Sequence, residues 1–286
     1  MPDKDSFIQQ ALELLKFLSQ GDEIDRPEKT RARFLLAEAY LSGLAEKESD
    51  QNILELLEKS AEGGFPSAQL IMGDFYFEGR LVPLDYKKAA QYYRSAAQAG
   101  LAEAQSKMGH LHKSGLGVAE DYAQAVQWYL LAAEKEDLSA MVNLAHFYFN
   151  GLGVDMDTEK AVQYYLKAAE MGDSDSQTAV GVLYSIGQGV TQNLGLAVYW
   201  WEKAVAQGHM GAENYLQSLV EAKLITERKQ AKTSKAPKPK EPKEPKASSA
   251  AKKPPRSKTN EADKPKTTRT RKLKPVPELA ELRPER

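Results

Sequence analysis

The chain has 286 residues, 28% of them charged and 8% aromatic, and no cysteine. Disulfides and thiolate metal sites are therefore excluded. No run approaches the roughly 20 apolar residues of a membrane span, and the acidic start Met1-Pro2-Asp3-Lys4-Asp5 lacks the basic opening of a secretory signal, so a cytoplasmic location is expected. The net charge of −1 hides a division: residues 1–227 carry 19 Lys+Arg against 33 Asp+Glu, and residues 228–286 carry 20 against 7. Such asymmetry separates a folded body from an interaction tail.

Along the chain, Ser6 to Gln20 places Phe7, Ile8, Ala11, Leu12, Leu15 and Leu18 on one helical face, with Gly21 as a stop. This helix is expected to cap the helices downstream of it, and residues 1–27 are read as the capping helix and its loop. Ala32, Leu36-Ala37, Ala39-Tyr40, Gly43, Ile53, Leu56-Leu57 and Ala61 then form a worn copy of a 36-residue phrase. The phrase is clear from Gly64 onward: Met72-Gly73, Phe75-Tyr76, Gly79, Val82, Asp85, Ala89, Tyr92-Tyr93, Ala96-Ala97, Gly100. Adding 36 gives Met108-Gly109, Gly115-Leu116-Gly117-Val118, Asp121, Trp128-Tyr129 and Ala132-Ala133; later copies run through Asp157 and Asn193 to Gly208. Ala212, Tyr215, Leu216 and Leu219 start one more helix, expected to end near Arg228.

Each copy reads as two helices. Apolar residues at helical spacing build helix A. The small residue in the Gly73, Gly109, Ala145 and Gly181 column admits a neighbouring helix. A Gly-x-Gly-Val turn ends helix A, because glycine takes positive φ cheaply, and its valine plugs the turn into the core. The column Asp85, Asp121, Asp157 and Asn193 supplies N-caps for helix B, each contributing about 1 kcal/mol. Glu136 breaks the closing-glycine column, and Arg80-Leu81 stands where the first clear copy lacks its second glycine. A repeat this regular predicts a quasi-linear stack, which favours binding over a buried catalytic pocket.

These columns resemble the Sel-one-like repeat family, a cousin of the tetratricopeptide repeat. The match covers about residues 28–220. The resemblance implies an all-α, right-handed α/α solenoid of about five repeats over residues 28–227, acting as a non-enzymatic adaptor or scaffold. Bacterial members are linked to signalling, envelope processes or host contact. The family supplies no catalytic residues. If tetratricopeptide geometry carries over, helix A lines a concave groove, and the candidate partner-binding residues are Leu70, Asp74, Phe77, His110, Lys113, Val142, His146, Phe149, Val182 and Ile186. The apolar ones among them would form a seam for a protein or peptide; the alternative is that several pack beneath the neighbouring repeat.

Other chemistry finds little support. His110 and His146 share a column but would stand about 8–10 Å apart on stacked helices, long for two ligands of one metal. The Gly-x-Gly turns follow helices rather than strands and match no phosphate loop. Neither metal nor cofactor is expected.

Residues 228–286 hold ten of the 14 prolines, and from Lys229 onward there is neither aromatic residue nor glycine. The segment is expected to be disordered and extended. Lys238, Lys240, Lys252, Lys253, Arg256, Arg269, Arg271 and Lys272 are candidate polyanion contacts. Four roles stay open: weakly specific binding of DNA or RNA, contact with the protein's own acidic body, contact with an anionic membrane surface, which the lack of an apolar anchor disfavours, or a solubilising tether.

Overall fold

The computed structural model describes residues 4–19, 27–46 and 48–221, with side-chain surroundings from Leu12 onward. The chain divides into two compact units, Met1–Thr226 and Glu227–Arg286. The second unit, with the expected disordered tail and its basic residues, lies outside the described residues, as does the stretch toward Arg228.

The described body consists of twelve helices: α1 (Lys4–Ser19), α2 (Pro27–Leu41), α3 (Asp50–Glu62), α4 (Pro66–Glu78), α5 (Tyr86–Gln98), α6 (Ala102–Ser114), α7 (Tyr122–Ala133), α8 (Leu138–Asn150), α9 (Thr158–Glu170), α10 (Ser174–Ile186), α11 (Leu194–Ala206) and α12 (Met210–Glu221). Each packs mainly on its neighbours in sequence, the signature of a helix-pair stack. The even-numbered helices from α2 to α10 are the A helices, and the odd-numbered ones from α3 to α11 are their B partners. In the middle of the stack α6 also touches α8, whereas no pair of B helices packs to that extent. The A helices thus approach each other along one face of the stack, here called its inner layer.

The glycine column explains the tight pairing within each repeat. A Cβ on Gly73 would lie 2.5 Å from Tyr93, one on Gly109 2.7 Å from Tyr129, and one on Gly181 2.4 Å from Trp201. Helix A is thus pressed against the large ring of its own helix B, and those rings are almost fully buried. Alanines such as Ala89, Ala96, Ala125 and Ala132 are fully or nearly fully buried between them. A second ring layer stacks Tyr76 on Tyr92 at 5.7 Å and Tyr148 on Tyr164 at 5.8 Å. His112 occupies the tyrosine position of the intervening copy, where its Nδ1 is buried without a partner.

The turns behave as their residues require. Gly79, Gly115, Gly151 and Gly187 end the A helices in the left-handed conformation. Gly117, Gly153 and Gly189 are left-handed too, and a Cβ on Gly117 would meet the Tyr86 carbonyl of the preceding repeat. Val82, Val118 and Val154 pack partly buried against the core. The side chains of Asp85, Asp121, Asp157 and Asn193 accept N–H bonds of 2.9–3.0 Å from the first turn of α5, α7, α9 and α11.

Three features go beyond the expected pattern. Asp137 and Asp173 cap helices α8 and α10, accepting from Ala140 N–H at 2.8 Å and Ser176 N–H at 2.7 Å. Gln69, Gln105 and Gln177 donate side-chain N–H groups to the carbonyls of Ala61, Ala97 and Ala169, tying each A helix to the end of the preceding B helix. In α1, Leu12 is buried and Leu15 packs on the core, while Leu18 is exposed together with Leu14 and Phe17. The side chains of Phe7, Ile8 and Ala11 lie outside the described ones.

Candidate partner-binding face of the solenoid

Three side-chain links cross from one repeat to the next along the A-helix layer, the last from α10 to the turn before α12. Asp74 accepts from Lys107 Nζ at 3.0 Å and from the Tyr93 hydroxyl at 2.6 Å. Lys113 Nζ donates to Asn143 Oδ1 at 3.0 Å. His209, on the turn before α12, sits 2.9 Å from Asp175 Oδ1 through Nε2 and 3.2 Å from Thr178 Oγ1 through Nδ1. Two of the three links join an acid to a base; the middle one joins a lysine to an amide.

The candidate residues separate into two groups. Leu70 does not line the groove: it is 8% exposed and belongs to the core. Phe34, Ser106 and Thr178 are buried as well, and Val142 is half-buried. The Thr178 carbonyl accepts from Trp201 of the same repeat at 3.1 Å, and its hydroxyl faces His209 of the next turn. At Leu70 and its buried counterparts the alternative of packing beneath a neighbour holds; Val142 keeps solvent access like Phe77 and Phe149. Val182 also packs partly buried, against the cluster around Trp201 and Leu216.

The other columns keep solvent access. Asp74, His110 and His146 share one; Phe77, Lys113 and Phe149 share the next. Phe77 is half-buried, with its ring 5.3 Å from Tyr86 and 6.1 Å from His110. Phe149 is half-buried and Ile186 is 48% exposed. Lys113 therefore stands between two phenylalanines, one repeat to either side, with His110 and His146 in the column beside it.

Positive charge dominates around the two histidines, while carboxylates act on the two buried tyrosines. Burial lowers the pKa of Lys113. Burial first, then the positive charge of Lys113, holds both His110 and His146 below the usual histidine range, and Lys107 adds to the effect at His110. Burial, followed by the Asp74 hydrogen bond, pushes the Tyr93 hydroxyl far above its ordinary range, so it stays protonated and donates to Asp74. Tyr129 is 1% exposed, and its hydroxyl has no hydrogen-bond partner. Among the described residues no group of three or more His, Asp or Glu side chains is arranged to hold a metal ion.

Lys107 and Asn143 belong to the face, and the buried Tyr93 and Tyr129 support it from beneath, although the sequence alone did not single them out. The detectable signal was an offset of about one repeat: Asp74 to Lys107 and Lys113 to Asn143 span 33 and 30 residues.

A stack of helix pairs with glycine-seated rings, capped B helices and an accessible inner face defines an α-solenoid repeat protein. The Sel1 repeat pattern matches five consecutive segments, residues 30–65, 66–101, 102–137, 138–173 and 174–209. The chain belongs to the Sel1 repeat family. It is similar to a Sel1 repeat protein from Oxalobacter formigenes, with 31% identity and a TM-score of 0.65 over 77% of this chain and 89% of that one. It is also similar to c5321, a protective antigen of uropathogenic Escherichia coli strains with the same type of fold, with 29% identity and a TM-score of 0.67 over 76% of this chain. The chain spans half the length of that antigen. No curated protein matches it. No described helix is long and apolar enough to cross a membrane.

Proposed function

We propose that this chain is a non-enzymatic adaptor whose solenoid, residues 28–227, binds a protein or peptide on its concave face. Sel1 repeat proteins generally serve as protein-interaction scaffolds. The observation that carries the reading is the Phe77, Lys113, Phe149 column on the inner layer, where two half-buried rings flank a cation. Residues 1–27 act as a cap, and residues 228–286 add electrostatic contacts in a cytoplasmic setting. Phe77→Ala combined with Phe149→Ala is expected to abolish capture of the partner while helicity and a cooperative melt are retained. Capture undiminished by the double substitution would contradict the groove reading.

A second reading rests on the excess of 20 basic over 7 acidic residues in 228–286. In it the tail binds DNA or RNA through phosphates and the solenoid recruits a protein to that site. It predicts that a chain ending at Glu227 loses nucleic-acid retention, with a salt-sensitive interaction in the full chain; equal retention by both would overturn it.

A further inference from the structure

The centre of the inner face carries an imbalance that its surroundings do not share. The body has 14 more acidic than basic side chains, and the two ion pairs that cross repeats each set an acid against a base, Asp74 with Lys107 and Asp175 with His209. Lys113 makes no ion pair among the described residues. One of its three N–H groups is taken by the Asn143 carbonyl, which leaves two donors for another acceptor. His110 feels the positive charges of Lys113 and Lys107, and His146 that of Lys113; the nearest carboxylate influence in this repeat is that of Asp137 on the buried Tyr129.

A second donor lies in the same repeat. Tyr93 rests on Gly73 and gives its hydroxyl proton to Asp74. One repeat on, Tyr129 rests on Gly109 in the same way, but the Asp74 position is now His110. The acceptor has gone, and the Tyr129 hydroxyl is left buried without one. A buried donor without a partner is costly, and so is a half-buried ammonium without an anion. Both fall in one repeat, Tyr129 within its core and Lys113 in the half-buried column shared with Phe77 and Phe149.

We propose that Lys113, with Asn143, His110 and His146 around it, is the docking site for a carboxylate of a partner peptide whose neighbouring apolar side chains rest on Phe77 and Phe149. A single carboxylate suits the site better than a polyanion, because the acidic body repels extended negative charge, and the flanking rings reward an apolar neighbour. This assignment rests on the concave-face reading and adds the chemistry of the bound segment.

The test uses the full chain and the imidazole NMR resonances of its four histidines. N-acetylphenylalanine, which joins a carboxylate to an aromatic ring, is expected to shift His110 and His146 saturably and to leave His209 unmoved. N-acetylphenylalaninamide is expected to shift neither. Lys113→Gln should weaken the carboxylate probe by about tenfold or more, the effect of losing a hydrogen bond to a charged group, while Lys113→Arg retains it. The unchanged His209 signal shows that the variants remain folded. Equal shifts from acid and amide, or unweakened binding to Lys113→Gln, would overturn the proposal. Inorganic phosphate binding as well as the aromatic acid would also overturn it, since that describes a general anion site. Partner capture lost in Phe77→Ala/Phe149→Ala with acid binding unchanged in Lys113→Gln would retain the groove and discard the carboxylate. The reverse pattern would do the opposite.

Discussion

Backbone conformation and local charge make separate predictions for individual residues. Glu136 occupies the column of Gly64, Gly100, Gly172 and Gly208 and adopts the same left-handed backbone, φ 61°. Left-handed φ costs a non-glycine residue about 1–2 kcal/mol. The greater flexibility of glycine in the unfolded chain offsets part of that, and Glu136 is exposed. Glu136→Gly should therefore raise stability by about 0.5–1 kcal/mol in urea denaturation. Gly117→Ala should cost far more than Gly208→Ala. Both glycines have positive φ, but a Cβ on Gly117 would collide with the Tyr86 carbonyl while one on Gly208 meets nothing within 4 Å. Equal losses at the two sites would contradict the packing described at the turn. His110 and His146 have folded pKa values below the unfolded value of about 6.5. As pH falls through that value the unfolded chain takes up protons first, so these residues subtract stability in that window, and the loss levels off below their folded values. The variant His110→Gln/His146→Gln should gain stability relative to the parent between about pH 7 and pH 5. A constant difference across that range would contradict the desolvation of the two rings.

Helices differ in how openly the sequence announces their ends. The caps of the B helices were legible because an Asp or Asn recurs at one column, 85, 121, 157 and 193. The caps Asp137 and Asp173 were not, because Phe65 and Leu101 hold that column in two other copies and make no side-chain cap bond. The glutamine ties of Gln69, Gln105 and Gln177 were hidden for a different reason: nothing in the local spacing shows that a polar side chain is buried against a neighbouring repeat's carbonyl. Gln105→Ala removes such a bond, while the Ala97 carbonyl keeps the Gly100 N–H. It is expected to cost about 0.5–1.5 kcal/mol, whereas Gln98→Ala at an exposed position should be nearly neutral; calorimetry of the two variants distinguishes them. The binding face was legible in part. Its A-helix columns followed from the repeat register, but Leu70 was misplaced because a column inherited from a related geometry does not show which of its residues the neighbouring helix covers. Lys107 and Asn143 were missed because their partners lie about 30 residues away in another copy.

At the scale of the molecule, stability is a sum of repeats and the interfaces between them. The interior copies α6–α9 have a neighbour on both sides and carry the Gly-x-Gly turn intact, while the first copy has Gly43-Leu44-Ala45-Glu46 there. Hydrogen exchange is expected to be slowest in α6–α9 and faster in α2 and α3. Uniform protection would mean that the stack opens as one unit. The solenoid was readable from the 36-residue period because each copy repeats the same ring-on-glycine contact. The partner was not, because binding chemistry sits in the columns that vary from copy to copy.

The most direct test of the adaptor reading compares capture from native lysate by the full chain and by residues 1–227, each with and without nuclease. An adaptor solenoid predicts one discrete protein retained by both after nuclease treatment and lost from both when Phe77→Ala and Phe149→Ala are introduced. Recovery by the full chain alone, abolished by nuclease, would contradict it and assign the main activity to nucleic-acid binding by residues 228–286.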